Sequence, residues 1–218
     1  MMLVIDGLFD AGTVAALREV AEGLDFADGA ATAGSMARRV KANDQATASP
    51  ERDALLAKVT ATVMGHPVFQ SAARPHRMSP LIVSRYREGQ TYGPHVEDAL
   101  MRGLRTDLSF TVFLSDPESH EGGALVVEDG FEARAIKLGA GEMILYPSTT
   151  LRRVEPVTRG ARLAAVGWVE CRVRDAGRRE ILFDLDRSIV DLQAGGASDL
   201  LDRLAKTRSN LLRMWAEA

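Results

Sequence analysis

The chain has a single cysteine, Cys171, in 218 residues. One thiol excludes an intrachain disulfide and a cysteine-based zinc cluster. Cys171 adjoins an apolar run, which predicts a buried, inert thiol rather than a nucleophile. No stretch approaches the roughly 18–20 apolar residues of a membrane span. The opening Met-Met-Leu-Val-Ile-Asp-Gly has neither a charged leader nor a long apolar core, so no signal peptide is expected and a cytoplasmic location is the default. An excess of one charge is also missing, since 27 Lys and Arg stand against 30 Asp and Glu, for a net charge of −3. That removes the electrostatic case for nucleic acid, which is bound by clustered cations. The short basic pairs Arg152-Arg153 and Arg178-Arg179 read as solvated surface. There are no internal repeats and no low-complexity tails. What is present, 46% hydrophobic and 26% charged residues, is the composition of an ordinary globular protein of one domain's length.

The pattern along the chain changes twice. Residues 3–5 suit a short strand. Asp10 is placed to cap a helix running to about Glu22, with Val14, Leu17 and Val20 at helical spacing. Residues 27–50 are rich in small and polar residues without a period, and predict an irregular or extended segment. Pro50 opens a second helix reaching Met64, with Leu55, Leu56, Val59 and Val63 on its apolar face. From Leu81 onward the period becomes two. Leu108, Phe110, Val112 and Leu114 face one way; Asp107, Ser109, Thr111 and Phe113 face the other. Further short strands are expected at 81–86, 124–128, 133–137, 142–146 and 161–170, punctuated by Gly and Pro. No helices alternate with them, so the pattern predicts an all-β sandwich or barrel of jelly-roll type, and not βαβ units. After Cys171 helical spacing returns with Ile181, Leu182, Leu185 and Ile189. Gly195-Gly196 breaks it, and Ser198 is placed to cap a last helix. The stripe Leu201, Leu204, Leu211, Leu212 and Trp215 in that helix predicts packing on the sheet. The whole reads as one domain, 1–218: an N-terminal helical region over 1–78, a β core over 79–170 and C-terminal helices over 171–218.

Two signals carry chemistry. His95 and Glu97 form a His-x-Glu pair at the end of an extended run. Spacing of i, i+2 turns both side chains to one side, as in the face of two histidines and a carboxylate that holds iron(II). Such a face needs a second histidine near position 152, and the chain has Arg152 there. The second signal is Arg162, in a strand that leads into the β core. A guanidinium entering a barrel is costly unless an anion meets it, and its fork fits a carboxylate. A structural salt bridge is the other reading of Arg162. Tyr86 and Thr111 can donate hydroxyl hydrogen bonds to the same anion, or serve as ordinary strand residues.

These residues sit within a longer set of segments. It includes Lys41-Ala42-Asn43, Thr91-Tyr92-Gly93-Pro94-His95-Val96, Arg105-Thr106-Asp107-Leu108-Ser109, Gly122-Gly123, Leu145-Tyr146-Pro147-Ser148, Pro156-Val157-Thr158-Arg159-Gly160-Ala161-Arg162 and Leu182-Phe183-Asp184-Leu185-Asp186. Together they resemble the PKHD-type hydroxylases, a bacterial branch of the prolyl-4-hydroxylase-like iron(II)/2-oxoglutarate dioxygenases, over nearly the whole chain. The resemblance implies a mainly β fold with flanking helices and a double-stranded β-helix core. It implies iron(II) and 2-oxoglutarate as cofactors, ascorbate as a reductant, and hydroxylation of a small-molecule or peptide substrate. His95 matches the first iron ligand, and Glu97 stands where the family has Asp. Arg162 matches the residue that grips the distal carboxylate of 2-oxoglutarate, and Tyr86 the tyrosine that helps hold it.

Arg152 is the departure. It stands where the family reads Leu-His, ten residues before Arg162 as in the family. Arginine offers a metal no lone pair. His66, His76 and His120 are the remaining histidines, and each also reads as a surface residue. Arg152 paired with Glu97 would set a guanidinium where the metal belongs, making Arg152 the candidate for a changed catalytic role. Three functions follow. The first is an oxygenase with a non-standard metal site. The second is a non-catalytic relative that keeps the 2-oxo acid pocket as a sensor or as partner subunit to an active enzyme. The third, a sugar- or peptide-binding jelly roll, needs only the fold. The terminal stripe also permits a homodimer.

Overall fold

The computed structural model describes every residue except 33, 35, 36, 129, 131, 195, 197, 198 and 218. The chain begins with strand β1 (Leu3–Ile5) and helix α1 (Ala11–Glu22). Asp10 caps α1 as expected, its carboxylate accepting the Thr13 N–H at 2.8 Å. Three short strands follow, β2 (Phe26–Asp28), β3 (Lys41–Ala42) and β4 (Asp44–Ala46). Helix α2 (Pro50–Gly65) starts with Pro50 in its first turn and Ser49 as its cap. It is followed by α3 (Pro67–Ala73) and β5 (Pro75–Met78). Then come β6 (Ile82–Arg87), β7 (Thr91–His95), β8 (Leu100–Met101), β9 (Leu104–Arg105) and β10 (Leu108–Phe113). Next are β11 (His120–Gly122), β12 (Leu125–Glu128), β13 (Ala133–Ile136), β14 (Met143–Pro147), β15 (Arg152–Val154) and β16 (Val157–Cys171). Helices α4 (Ala176–Gln193) and α5 (Asp199–Trp215) close the chain. The Ser198 cap expected for α5 lies outside the described residues.

Apart from the two-stranded ribbon of β8 and β9, the strands form two antiparallel sheets, the sandwich that the period-two pattern predicts. The larger has the order β1-β14-β10-β16-β6-β4-β2, with β5 and β11 also on β16; the smaller is β13-β12-β15-β7-β3. Alternation along the strands divides the interior in two. Val83, Phe110, Val112, Leu145, Leu163 and Val169 point to the helices and pack with Leu17, Val59, Val63 and Phe69. Phe69 meets Phe110 edge-to-face, with ring centroids 5.9 Å apart; such a pair adds about 0.5–1.5 kcal/mol beyond its buried area. The opposite face of the same strands turns inward between the sheets, where Tyr86, Phe113, Ile144 and Tyr146 join Leu125, Val127 and Val154. The strand β10 is buried at every position for this reason. At Gly122, with φ of +69°, a Cβ would lie 2.0 Å from the Pro156 carbonyl oxygen, so only glycine lets β11 cross so close to that backbone.

Several expectations need correction. Residues 1–78, expected as a helical region with a strand at 3–5 and an irregular or extended segment at 27–50, supply β2 to β5 to the sheets besides the expected β1. Strands of two to four residues are too short to carry a readable period. The strand expected at 161–170 starts at Val157, which puts Arg162 in its interior. Helix α5, expected on the sheet, packs chiefly on α4. Of the pair expected at the surface, Arg179 is buried, donating to the Val173 and Arg174 carbonyls at 2.8 and 2.7 Å. Among the described residues no helix is long and apolar enough to cross a membrane.

Candidate active site

The inward face of the larger sheet builds one half of the site. Arg162 on β16 pairs in register with Tyr86 on β6. On the other flank Thr111 of β10 pairs with Val166 of β16 and with Ile144 of β14, which leaves Tyr146 on the diagonal from Thr111. Tyr86, Thr111, Tyr146 and Arg162 therefore share one side of four neighbouring strands, and all four line a cavity of about 1040 Å³. That volume leaves room for a second molecule beside a small co-substrate, since ordinary ligand clefts run to about 300–1,000 Å³. Arg162 is only 2% exposed and has no carboxylate partner among the described residues. Its guanidinium carbon lies 5.4 Å from the Tyr86 ring and 5.2 Å from that of Phe113, and its Nε has no hydrogen-bond partner. Burial disfavours its charge, with Tyr86 and Tyr146 opposing. Burial likewise pushes the Tyr86 hydroxyl up to about 12 and raises that of Tyr146. Both phenols are thus neutral donors beside an unanswered cation, an arrangement that suits a carboxylate ligand.

The smaller sheet supplies the other half. His95 of β7 lies directly opposite Arg152 of β15. Its Nδ1 is 2.8 Å from the Gly93 carbonyl oxygen, which can only accept, so the proton sits on Nδ1 and Nε2 keeps its lone pair. Tyr92 stacks on the ring at 3.5 Å. Burial, reinforced by the Arg152 charge, pushes the imidazole down to about 4 and keeps it neutral. Glu97 is half-buried and forms an ion pair with Arg152. Asp98 is exposed at the cavity mouth.

Arg152 corrects a second surface expectation, being 2% exposed. It lies on the inward side of β15, its guanidinium 5.4 Å from the Tyr146 ring. Among the described residues no three His, Cys, Asp or Glu side chains come together to hold a metal. His66, His76 and His120 line other parts of the molecule, and His120 is buried on β11 instead of lying at the surface. His95 Nε2 and Glu97 are two donors, and the third corner carries a guanidinium that can neither donate a lone pair nor tolerate a dication. The residues present therefore do not fit the three-ligand iron face, whereas Arg162, Tyr86, Thr111 and Tyr146 do fit a carboxylate.

Sequence reasoning missed Tyr146 and Lys41. The same alternation that selects Thr111 selects Tyr146, two residues beyond Ile144. Lys41 lies on a two-residue strand without a period. It lines the cavity, and burial pulls its ammonium down to about 8 against the charges of Glu97 and Asp28.

Comparison with known proteins agrees with the fold. Residues 81–170 match the family model of the 2OG-Fe(II) oxygenase superfamily, and residues 176–217 that of the PKHD-type hydroxylase C-terminal domain. A PKHD-type hydroxylase of Maricaulis maris is 50% identical over 193 residues, 88% of each chain. Another, of Acaryochloris marina, is 45% identical over the full length of both. Among solved structures, the viral collagen prolyl hydroxylase of Paramecium Bursaria Chlorella virus-1 in its 2OG complex superposes with a TM-score of 0.55 at 19% identity, covering 78% of this chain and 96% of that one.

Proposed function

The chain belongs to the PKHD-type hydroxylases of the 2OG-Fe(II) oxygenase superfamily, whose cofactors are iron(II) and 2-oxoglutarate, and from that premise we propose that it retains the 2-oxo acid pocket while an Arg152–Glu97 pair replaces the metal. One observation carries this reading: Arg152 is buried, directly across the strand pair from His95, and ion-paired with Glu97. The guanidinium supplies one of the two positive charges that an iron(II) ion would bring, and it neutralises the half-buried Glu97 carboxylate. Arg162 binds the far carboxylate of the 2-oxo acid, with Tyr86 and Thr111 as hydroxyl donors beside it. In this state the protein senses a 2-oxo acid or serves as partner subunit to an active relative. Ascorbate, a reductant for metal turnover, then has no task.

A second reading keeps the hydroxylase, with iron on His95 and Glu97 alone. The free lone pair on His95 Nε2 favours it. It requires Arg152 to leave its buried position with the loss of its partner. Succinate formation from 2-oxoglutarate with iron(II) separates the two. The first reading expects no succinate from the unmodified protein and turnover from Arg152→His combined with Glu97→Asp. Succinate from the unmodified protein would establish the second. A thermal shift with 2-oxoglutarate in chelator checks that the pocket binds at all.

A further inference from the structure

The two-residue turn between β8 and β9 breaks a local rule. Met101 pairs with Leu104, so Arg102 and Gly103 are its central residues. Their φ angles are +51° and +79°, positive at both positions as a type I′ hairpin needs. Glycine takes such angles freely, and the residue favoured before it is asparagine or aspartate. Arginine there strains the backbone, because its Cβ crowds the following carbonyl oxygen. Among the described residues the other non-glycine residue with a positive φ is Arg74, whose guanidinium is held inside the fold by Asp186. Arg102 is exposed and has no ion pair or hydrogen bond among the described residues. The fold itself gives no reason for arginine at this position. A residue that breaks a local rule without a structural partner points to function.

The hairpin is anchored at its tip and at its base. Arg77 donates to the Gly103 carbonyl at 2.9 Å while paired with Glu170, and Thr106 Oγ1 donates to the Asp98 carbonyl at 2.6 Å. Arg102 lines the cavity of about 1040 Å³ together with Val96, Leu100 and Trp168. Leu100 is 68% exposed and Val96 47%, although both are apolar. Of the carboxylates lining the cavity, Glu97 pairs with Arg152 and Asp98 lies against Gly34. The lining arginines Arg52 and Arg77 are answered by Asp53 and Glu170. We propose that the hairpin tip recognises a small amphipathic anion. Its acidic group, a carboxylate, sulfonate or phosphate, pairs with the Arg102 fork, and its apolar body covers Leu100, Val96 and Trp168. This site is built on β8 and β9, away from Arg162 on the inward face of the larger sheet. It needs no metal and excludes none, so its failure leaves the metal-free reading above untouched.

Fluorescence titration of the full chain tests this with two probes, anilinonaphthalene sulfonate and phenylnaphthylamine, which has the same rings without the sulfonate. The sulfonate is expected to bind about fivefold more tightly or better, the effect of one charge-assisted pair at an exposed side chain. Arg102→Asn removes the cation and suits the turn, because Asn-Gly is the favoured pair for this hairpin. The variant should therefore melt at or above the parent's temperature. It should bind the sulfonate no better than the neutral probe, whose own affinity stays at the parent's value. Leu100→Ser, at a side chain already in water, should weaken both probes alike. Equal binding of the two probes by the parent would overturn the inference. So would an Arg102→Asn protein that keeps the preference for the sulfonate, or that melts several degrees lower and so makes Arg102 a structural residue. A Leu100→Ser protein that binds both probes as the parent does would also overturn it.

Discussion

Arg162→Met separates the cost of the anion pocket from its use. Arg162 is buried without a carboxylate partner among the described residues. An uncompensated buried ion costs several kcal/mol after relaxation. The compensation visible in the fold is the pair of rings at 5.4 and 5.2 Å, each worth about 0.5–2 kcal/mol. Methionine keeps most of the aliphatic stem that packs beside Gly123 and discards the charge. The free protein should therefore gain about 1–3 kcal/mol, the difference between several kcal/mol and the two ring contacts. At this length that corresponds to a rise in Tm of about 2–4 °C per kcal/mol. Saturating 2-oxoglutarate should act in the opposite sense. The unmodified protein gains about 2.7 kcal/mol at a hundredfold excess over Kd, and the variant gains nothing. Differential scanning calorimetry of both proteins, with and without ligand in chelator, reads all four values. A variant that melts several degrees below the parent and keeps the ligand shift would refute the reasoning, because Arg162 would then be a structural residue with satisfied partners.

Two further outcomes follow from buried titratable groups. His120 is pushed down to about 4 by burial, helped by the charges of Lys137 and Arg162, while the unfolded chain titrates near the ordinary histidine value of about 6.5. The unfolded state thus takes up a proton first, so stability is level above pH 6.5, falls as pH drops toward 4 and levels again below that. His120→Asn should flatten this part of the urea-unfolding profile, in which one fully titrating group contributes about 1.4 kcal/mol per pH unit; parallel profiles for the two proteins would contradict it. Burial pushes the Cys171 thiol up to about 12, so a disulfide reagent at pH 8 should find no reactive thiol in the folded protein and one after denaturation. Rapid labelling of the native protein would show that β16 opens at that end.

The readable parts of the molecule were those with a repeating physical cause. Asp10 and Pro50 announce helix starts because an orphan N–H needs an acceptor and proline suits a first turn. The alternation over 107–114 announces a strand whose two faces differ, one packing on helices and the other lining the cavity. Short edge strands such as β3 and β4 were not legible, because two or three residues fix no period and their pairing is decided by the strands they meet. The basic pair Arg152-Arg153 shows the limit most clearly. From sequence it resembles any solvated pair, whereas register puts Arg152 opposite His95 and inside, with Arg153 outward on Glu128. Resemblance to a family identified the position; only the strand pairing shows the guanidinium turned toward Glu97. Tyr146 and Lys41 were not legible as cavity residues, since they reach it from elements far apart in the chain.

The central claim is that a guanidinium occupies the third corner of an iron face. Anaerobic titration of the unmodified, metal-free protein with iron(II), followed by metal analysis after desalting, tests it most directly. Arg152 paired with Glu97 predicts far less than one equivalent of retained iron, and a full equivalent only after Arg152→His is combined with Glu97→Asp. One equivalent held by the unmodified protein with sub-micromolar affinity would contradict the account and return the chain to the hydroxylases that use the metal.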